Sequence, residues 1–134
     1  MTIWTRYLRR PRTIEELYES TPSLDDFGLS ELAFDGADST CLLRGTLAQF
    51  PDFPKSEWET DANRAGIRLW LEQLVEFNLD GWSFENIVDL SIEPSDGVTG
   101  YRVRAEGDEL RFDATCNSLH LASVYAYHSA DGER

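Results

Sequence analysis

From Leu29 onward the apolar residues of this chain recur at every second position, and that period, more than any motif, limits what the chain can fold into. Leu43 and Leu47 share one side of a stretch running from Cys41 to Gln49, with Gly45 between them and Arg44 and Thr46 on the other side. Val88, Leu90 and Ile92 oppose Asp89, Ser91 and Glu93; Tyr101, Val103 and Ala105 oppose Arg102, Arg104 and Glu106; Leu110, Phe112 and Ala114 oppose Arg111, Asp113 and Thr115. Successive side chains of a strand point to opposite faces, so clean alternation marks strands buried on one side and wet on the other. Turn dipeptides separate these runs: Asp35-Gly36, Asp80-Gly81, Asp96-Gly97 and Gly107-Asp108.

The least regular stretch is 63–79. Ile67, Leu69 and Leu71 alternate with Arg68, Trp70 and Glu72, whereas Leu71, Leu74 and Val75 fit a helix as well. Because Val75, Phe77 and Leu79 resume the alternation, the pattern predicts one strand with a bulge near Gln73. The stretches Leu29–Phe34 and Leu119–Tyr127 complete a count of about seven strands. One helix is expected ahead of them. Thr13-Ile14-Glu15-Glu16 has the spacing of a capping box, Ile14, Leu17 and Tyr18 give it an apolar side for covering Trp70, and Pro22 stops it. The expected class is therefore α+β and strand-rich: a short N-terminal helix followed by a curved, mostly antiparallel sheet. Alternation alone leaves open whether that sheet is single, a sandwich or a partial barrel.

A chain of 134 residues is expected to form one domain over 1–134, large enough for a core without staples. Within it, residues 1–12 read as a basic arm and 129–134 as a frayed tail. Arg6, Arg9, Arg10 and Arg12 lie in that arm with no acid among them. The whole chain nonetheless holds 25 acidic and 12 basic residues, for a net charge of −13, so the body from Thr13 is more acidic still. Such a body repels nucleic acid and anionic membrane and draws basic partners. The arginines have no apolar run behind them, unlike a signal peptide, and no stretch approaches the roughly 18 apolar residues of a membrane span. The expected location is the cytoplasm. Lys55 is the only lysine, a bias that fits a GC-rich bacterial coding sequence.

Catalytic signatures are not evident. The chain carries no phosphate loop, dinucleotide fingerprint or nucleophile elbow. Cys41 and Cys116 read as buried thiols; Cys116 and His120 are the nearest thing to a ligand pair, yet lie too far apart along a strand to share a metal. No catalytic residue, metal or cofactor is expected. The aromatic residues say more. Trp58 is flanked by Glu57, Glu59 and Asp61, and Trp82 by Asp80 and Glu85. Tryptophan anchors ringed by carboxylates suit recognition of a basic protein, so these seven residues are the candidate partner-binding set.

Several segments together resemble the bacterial immunity-protein family Imm50: Glu57-Trp58 through Asn63-Arg64, the Ile67–Leu71 strand, Asp80-Gly81-Trp82-Ser83, Asn86-Ile87-Val88-Asp89-Leu90, and Leu110-Arg111-Phe112 with Val124-Tyr125-Ala126-Tyr127. Leu17-Tyr18 and Pro22-Ser23-Leu24 fit as well, so the resemblance runs from about Thr13 to Tyr127. It implies an α+β protein that binds a cognate polymorphic toxin and protects the producing cell, without catalytic residues. A monomer or weak homodimer is the expected state. Two other readings follow from the residues themselves. One is a small-ligand carrier or enzyme with an apolar pocket lined by Trp70, Trp82, Tyr101 and Phe112; the other is a domain that self-associates through a strand edge.

Overall fold

The computed structural model describes residues 4–83, 85–95 and 100–129. Six antiparallel strands lie among them: β1 (Phe27–Asp35), β2 (Thr40–Thr46), β3 (Arg64–Asp80), β4 (Asn86–Pro94), β5 (Tyr101–Gly107) and β6 (Arg111–Tyr127). They close into a barrel in the order β1-β2-β3-β6-β5-β4. Closure rests on a short seam of three residue pairs between β1 and β4: Phe27 with Val88, Gly28 with Ile87, and Leu29 with Asn86. Full closure removes most of the unpaired strand edges that an open sheet would present.

The count is six strands, not seven, because the two runs expected at 110–115 and 119–127 form one strand, Arg111–Tyr127. Asn117 and Ser118 look like turn residues in sequence. Here they stay in the ladder, because Asn117 donates to Gln73 Oε1 at 3.2 Å and the Ser118 hydroxyl donates to Glu72 Oε1 at 3.0 Å. β3 and β6 are 17 residues each and pair along almost their whole length, so they run through both halves of the barrel. The bulge near Gln73 is present. Gln73 has φ 57, and the register slips between Leu74 and Glu76. The inward set of β3 changes there, from Leu69 and Leu71 to Leu74 and Phe77. A second slip, between Arg68 and Leu69, has no signal in the alternation.

The interior is filled by side chains. Phe27, Leu43, Ile67, Leu69, Leu71, Val103 and Phe112 are essentially inaccessible, each contributing about 1.5–3 kcal/mol of burial. Phe27 lies directly over Gly45, where a methyl group would collide with its ring.

The N-terminal segment covers one side of this barrel. A 3-10 turn, Trp4–Tyr7, precedes a single helical turn, α1 (Arg12–Glu15). Trp4 Nε1 donates to the Pro22 carbonyl at 2.9 Å, the Arg9 amide donates to the Leu119 carbonyl of β6, and Tyr7 packs on Tyr101 with centroids 5.4 Å apart. Ile14, Leu17 and Tyr18 are buried as the sequence predicts. The capping box is not. Pro11 occupies the N-cap with φ −65, no side chain caps the turn, and Thr13 lies inside it, while Glu16 pairs with Arg12 at 3.3 Å. Proline presets the dihedral of a helix start, so the turn begins ahead of Thr13. Trp70 is half-buried on the outward face, in register with Leu42 and His120. At the other end Asn63 and Ser129 bond reciprocally, at 2.8 and 3.2 Å; residues 130–134 of the expected tail lie outside the described residues.

Candidate interaction surface

β3 leaves the barrel at Asp80 and turns through Gly81, whose φ is +88 and whose Cβ position is occupied by the Glu109 carbonyl. Only glycine fits there, and it docks the turn against the β5–β6 hairpin. Asn86, which is buried, closes the loop from its far end: its Oδ1 accepts from the Ser83 amide at 2.8 Å and its Nδ2 donates to the Ser83 carbonyl at 3.0 Å. These contacts hold Trp82 on the outside of the barrel, where it is 49% exposed. Ile87 and Tyr127, 41% and 38% exposed, stand in the same groove, with Gly28, Leu29, Ser30, Thr46, Glu85 and Asn86. Gly28 leaves the floor of the groove open. The Tyr127 hydroxyl hydrogen-bonds Thr46 Oγ1 at 2.7 Å, and its ring stacks on Tyr125, over which the Arg68 guanidinium sits at 4.5 Å. Trp82 and Ile87, five residues apart, thus share a wet face with Tyr127, which the barrel brings to them from forty residues away.

The seven residues expected to bind a partner fall into two groups. Asp80, Trp82 and Glu85 surround the turn after β3, and all are exposed. Asp80 borders Asp108 and Glu109 of the β5–β6 hairpin, and Glu85 lines the groove beside Trp82 and Ile87. Glu57, Glu59 and Asp61 are exposed on the loop between β2 and β3. Trp58, at the centre of that loop, is half-buried, packs on the core and contacts Phe50 at 6.4 Å between centroids. It anchors the loop from below. The loop is fastened by the Phe53 amide donating to the Leu17 carbonyl at 2.9 Å and by Asp52 accepting from the Glu19 amide at 2.9 Å. Both groups reach the end of β6: Trp82 shares its groove with Tyr127, and the Asp61 carbonyl lies 3.0 Å from His128 Nδ1. Ile87 and Tyr127 were missed in the sequence. Ile87 carried a usable signal, since it falls on the otherwise polar face of β4 with Asp89, Ser91 and Glu93.

The two buried thiols are not activated. Burial pushes the Cys41 thiol up to about 11 and the Cys116 thiol up to about 12, the opposite of activation. Tyr18 is likewise pushed up by burial and by Asp52, while its hydroxyl donates to the Gln49 carbonyl at 2.8 Å. Among the described residues no group of three His, Cys, Asp or Glu side chains is placed to hold a metal ion. The four aromatics considered for a pocket do not converge. Phe112 is inside the barrel, Trp82 is outside, Trp70 is on the outward face and Tyr101 packs on Tyr7. No helix among the described residues is long and apolar enough to cross a membrane.

The family model described as Immunity protein 50, Imm50, matches residues 10–127, from the N-terminal segment to the last residue of β6. The chain belongs to the Imm50 family. No curated protein and no solved structure matches it. The Imm50 match takes in all six strands, the loop around Trp58 and the groove of Trp82, Ile87 and Tyr127. What the Imm50 chain presents at that groove is an exposed, partly apolar surface with Asp80 and Glu85 near its border.

Proposed function

We propose that this Imm50 protein is a non-catalytic immunity protein that binds a cognate bacterial toxin in the cytoplasm and covers its active surface. Membership of an immunity-protein family carries the reading. The charge of −13 supports a basic target, because a strongly acidic inhibitor steers such a target into encounter and pays little desolvation at a solvated rim. In this reading Trp82 is the anchor, Asp80 and Glu85 border it, and Glu57, Glu59 and Asp61 extend the acidic rim from the loop that Trp58 holds in place. The protein acts as a monomer or weak homodimer, without cofactor or metal.

The test is calorimetric titration of the chain with the product of the neighbouring reading frame, paired with stopped-flow association at several salt concentrations. One-to-one binding with an on-rate that falls steeply with salt is the expected result. Binding whose on-rate ignores salt removes the electrostatic part, and no binding removes the pairing.

A further inference from the structure

The barrel leaves a strand edge open on the second half of β3. Residues Gly66–Glu72 of β3 pair with β2 on one side and with β6 on the other. Beyond them, the Leu74 amide donates to the Ser39 carbonyl at 2.8 Å, the last backbone bond on the β2 side among the described residues. From there to Asp80 the strand is paired with β6 alone. The β1–β2 hairpin simply ends before β3 does. This edge is unusually apolar for one left in water. Val75 is 67% exposed and Leu79 44%, and Phe77, which packs edge-on to Phe112, also meets Phe34 of β1 at 5.2 Å, itself 58% exposed. Glu76 and Asn78 lie between these and Asp80 follows them, all exposed.

An exposed edge recruits strands, and its side chains decide which. A second copy of this chain is a poor occupant. Antiparallel self-pairing centred on Asn78 sets Glu76 directly against Asp80, and each copy adds a net charge of −13. A segment that alternates apolar with basic residues meets both faces: its apolar side chains extend the Phe34–Phe77 contact, and its Lys or Arg side chains face Glu76 and Asp80. We propose that the Val75–Asp80 edge of β3 is a strand-addition site for an extended, basic segment of a partner protein. The site is drawn from strand pairing and charge, and it stands whether or not that partner is a toxin.

The probe is a blocked peptide of about nine residues alternating valine and lysine, added to the full chain while backbone amide exchange is followed residue by residue. Bound in this way, it slows exchange of those amides in 75–80 that point away from β6 by about tenfold or more. The valine–glutamate peptide gives no such protection, and neither does the lysine peptide with the Glu76→Lys/Asp80→Lys variant. Unchanged exchange at 75–80, protection confined to other strands, or equal protection by the two peptides overturns the proposal. The peptide comparison is made on the wild-type chain, so the test holds even if the double variant folds poorly.

Discussion

The ring of Phe27 occupies the space that a side chain at Gly45 would need, so the pairing of β1 with β2 is possible at this point only because residue 45 has no Cβ. Phe27 is fully buried and also forms one of the three residue pairs that close the barrel onto β4. Gly45→Ala therefore strains the seam as well as the core. The expected loss is about 1–3 kcal/mol, read as a lower denaturant midpoint with an unchanged slope. A midpoint equal to the wild type would show that Phe27 has room to move.

Trp58 and Trp82 are expected to separate cleanly. Trp58 is half-buried against the core, so Trp58→Ala costs about 1–3 kcal/mol of stability. Trp82→Ala removes an exposed ring and leaves stability within about 0.5 kcal/mol, while affinity for the partner falls by about tenfold or more. Denaturation and titration of both variants check this; a destabilised Trp82 variant with full affinity would reverse the assignment.

Asp113 accepts two hydrogen bonds from Arg102, at 2.8 and 3.1 Å, and these hold its carboxyl below the ordinary value. The unfolded chain thus binds the proton more readily, so this group contributes stability above its unfolded value of about 3.9 and loses it as the pH falls through the lower folded value. The pair is partly exposed, so the contribution is modest. Asp113→Asn should make the denaturant midpoint fall less steeply between pH 4 and 2 than it does in the wild type. Parallel curves would assign the acid sensitivity to other carboxylates.

Cys41 and Cys116 face the barrel interior with thiols well above their ordinary range. At mildly alkaline pH the native protein should react with a thiol reagent only as fast as it unfolds, and both thiols should react at once in denaturant. Rapid labelling of the native state would mean that the barrel opens locally.

How much of this was legible beforehand follows from what a strand exposes in sequence. Alternation located the strands because the barrel interior is apolar and its outside polar, and the slip beside Gln73 was readable because the period breaks there. Asn117 and Ser118 were unreadable as strand because their partners, Gln73 and Glu72, lie more than forty residues away. Closure was hidden for the same reason: three pairs between β1 and β4 decide it, and nothing local announces them. Trp82 and its acids stood out by residue type. Their grouping with Tyr127 depends on the closed barrel, and Trp58 looked equally exposed until its contacts with the core were known.

Protection of a living cell tests the central claim most directly. The neighbouring reading frame is expressed in a bacterial host with no insert, with this chain, or with an equally abundant Trp82→Ala/Glu85→Lys variant. The account predicts arrested growth in the first case, full growth in the second and arrest again in the third. A toxic neighbour that stops growth even in the presence of the wild-type chain would contradict it.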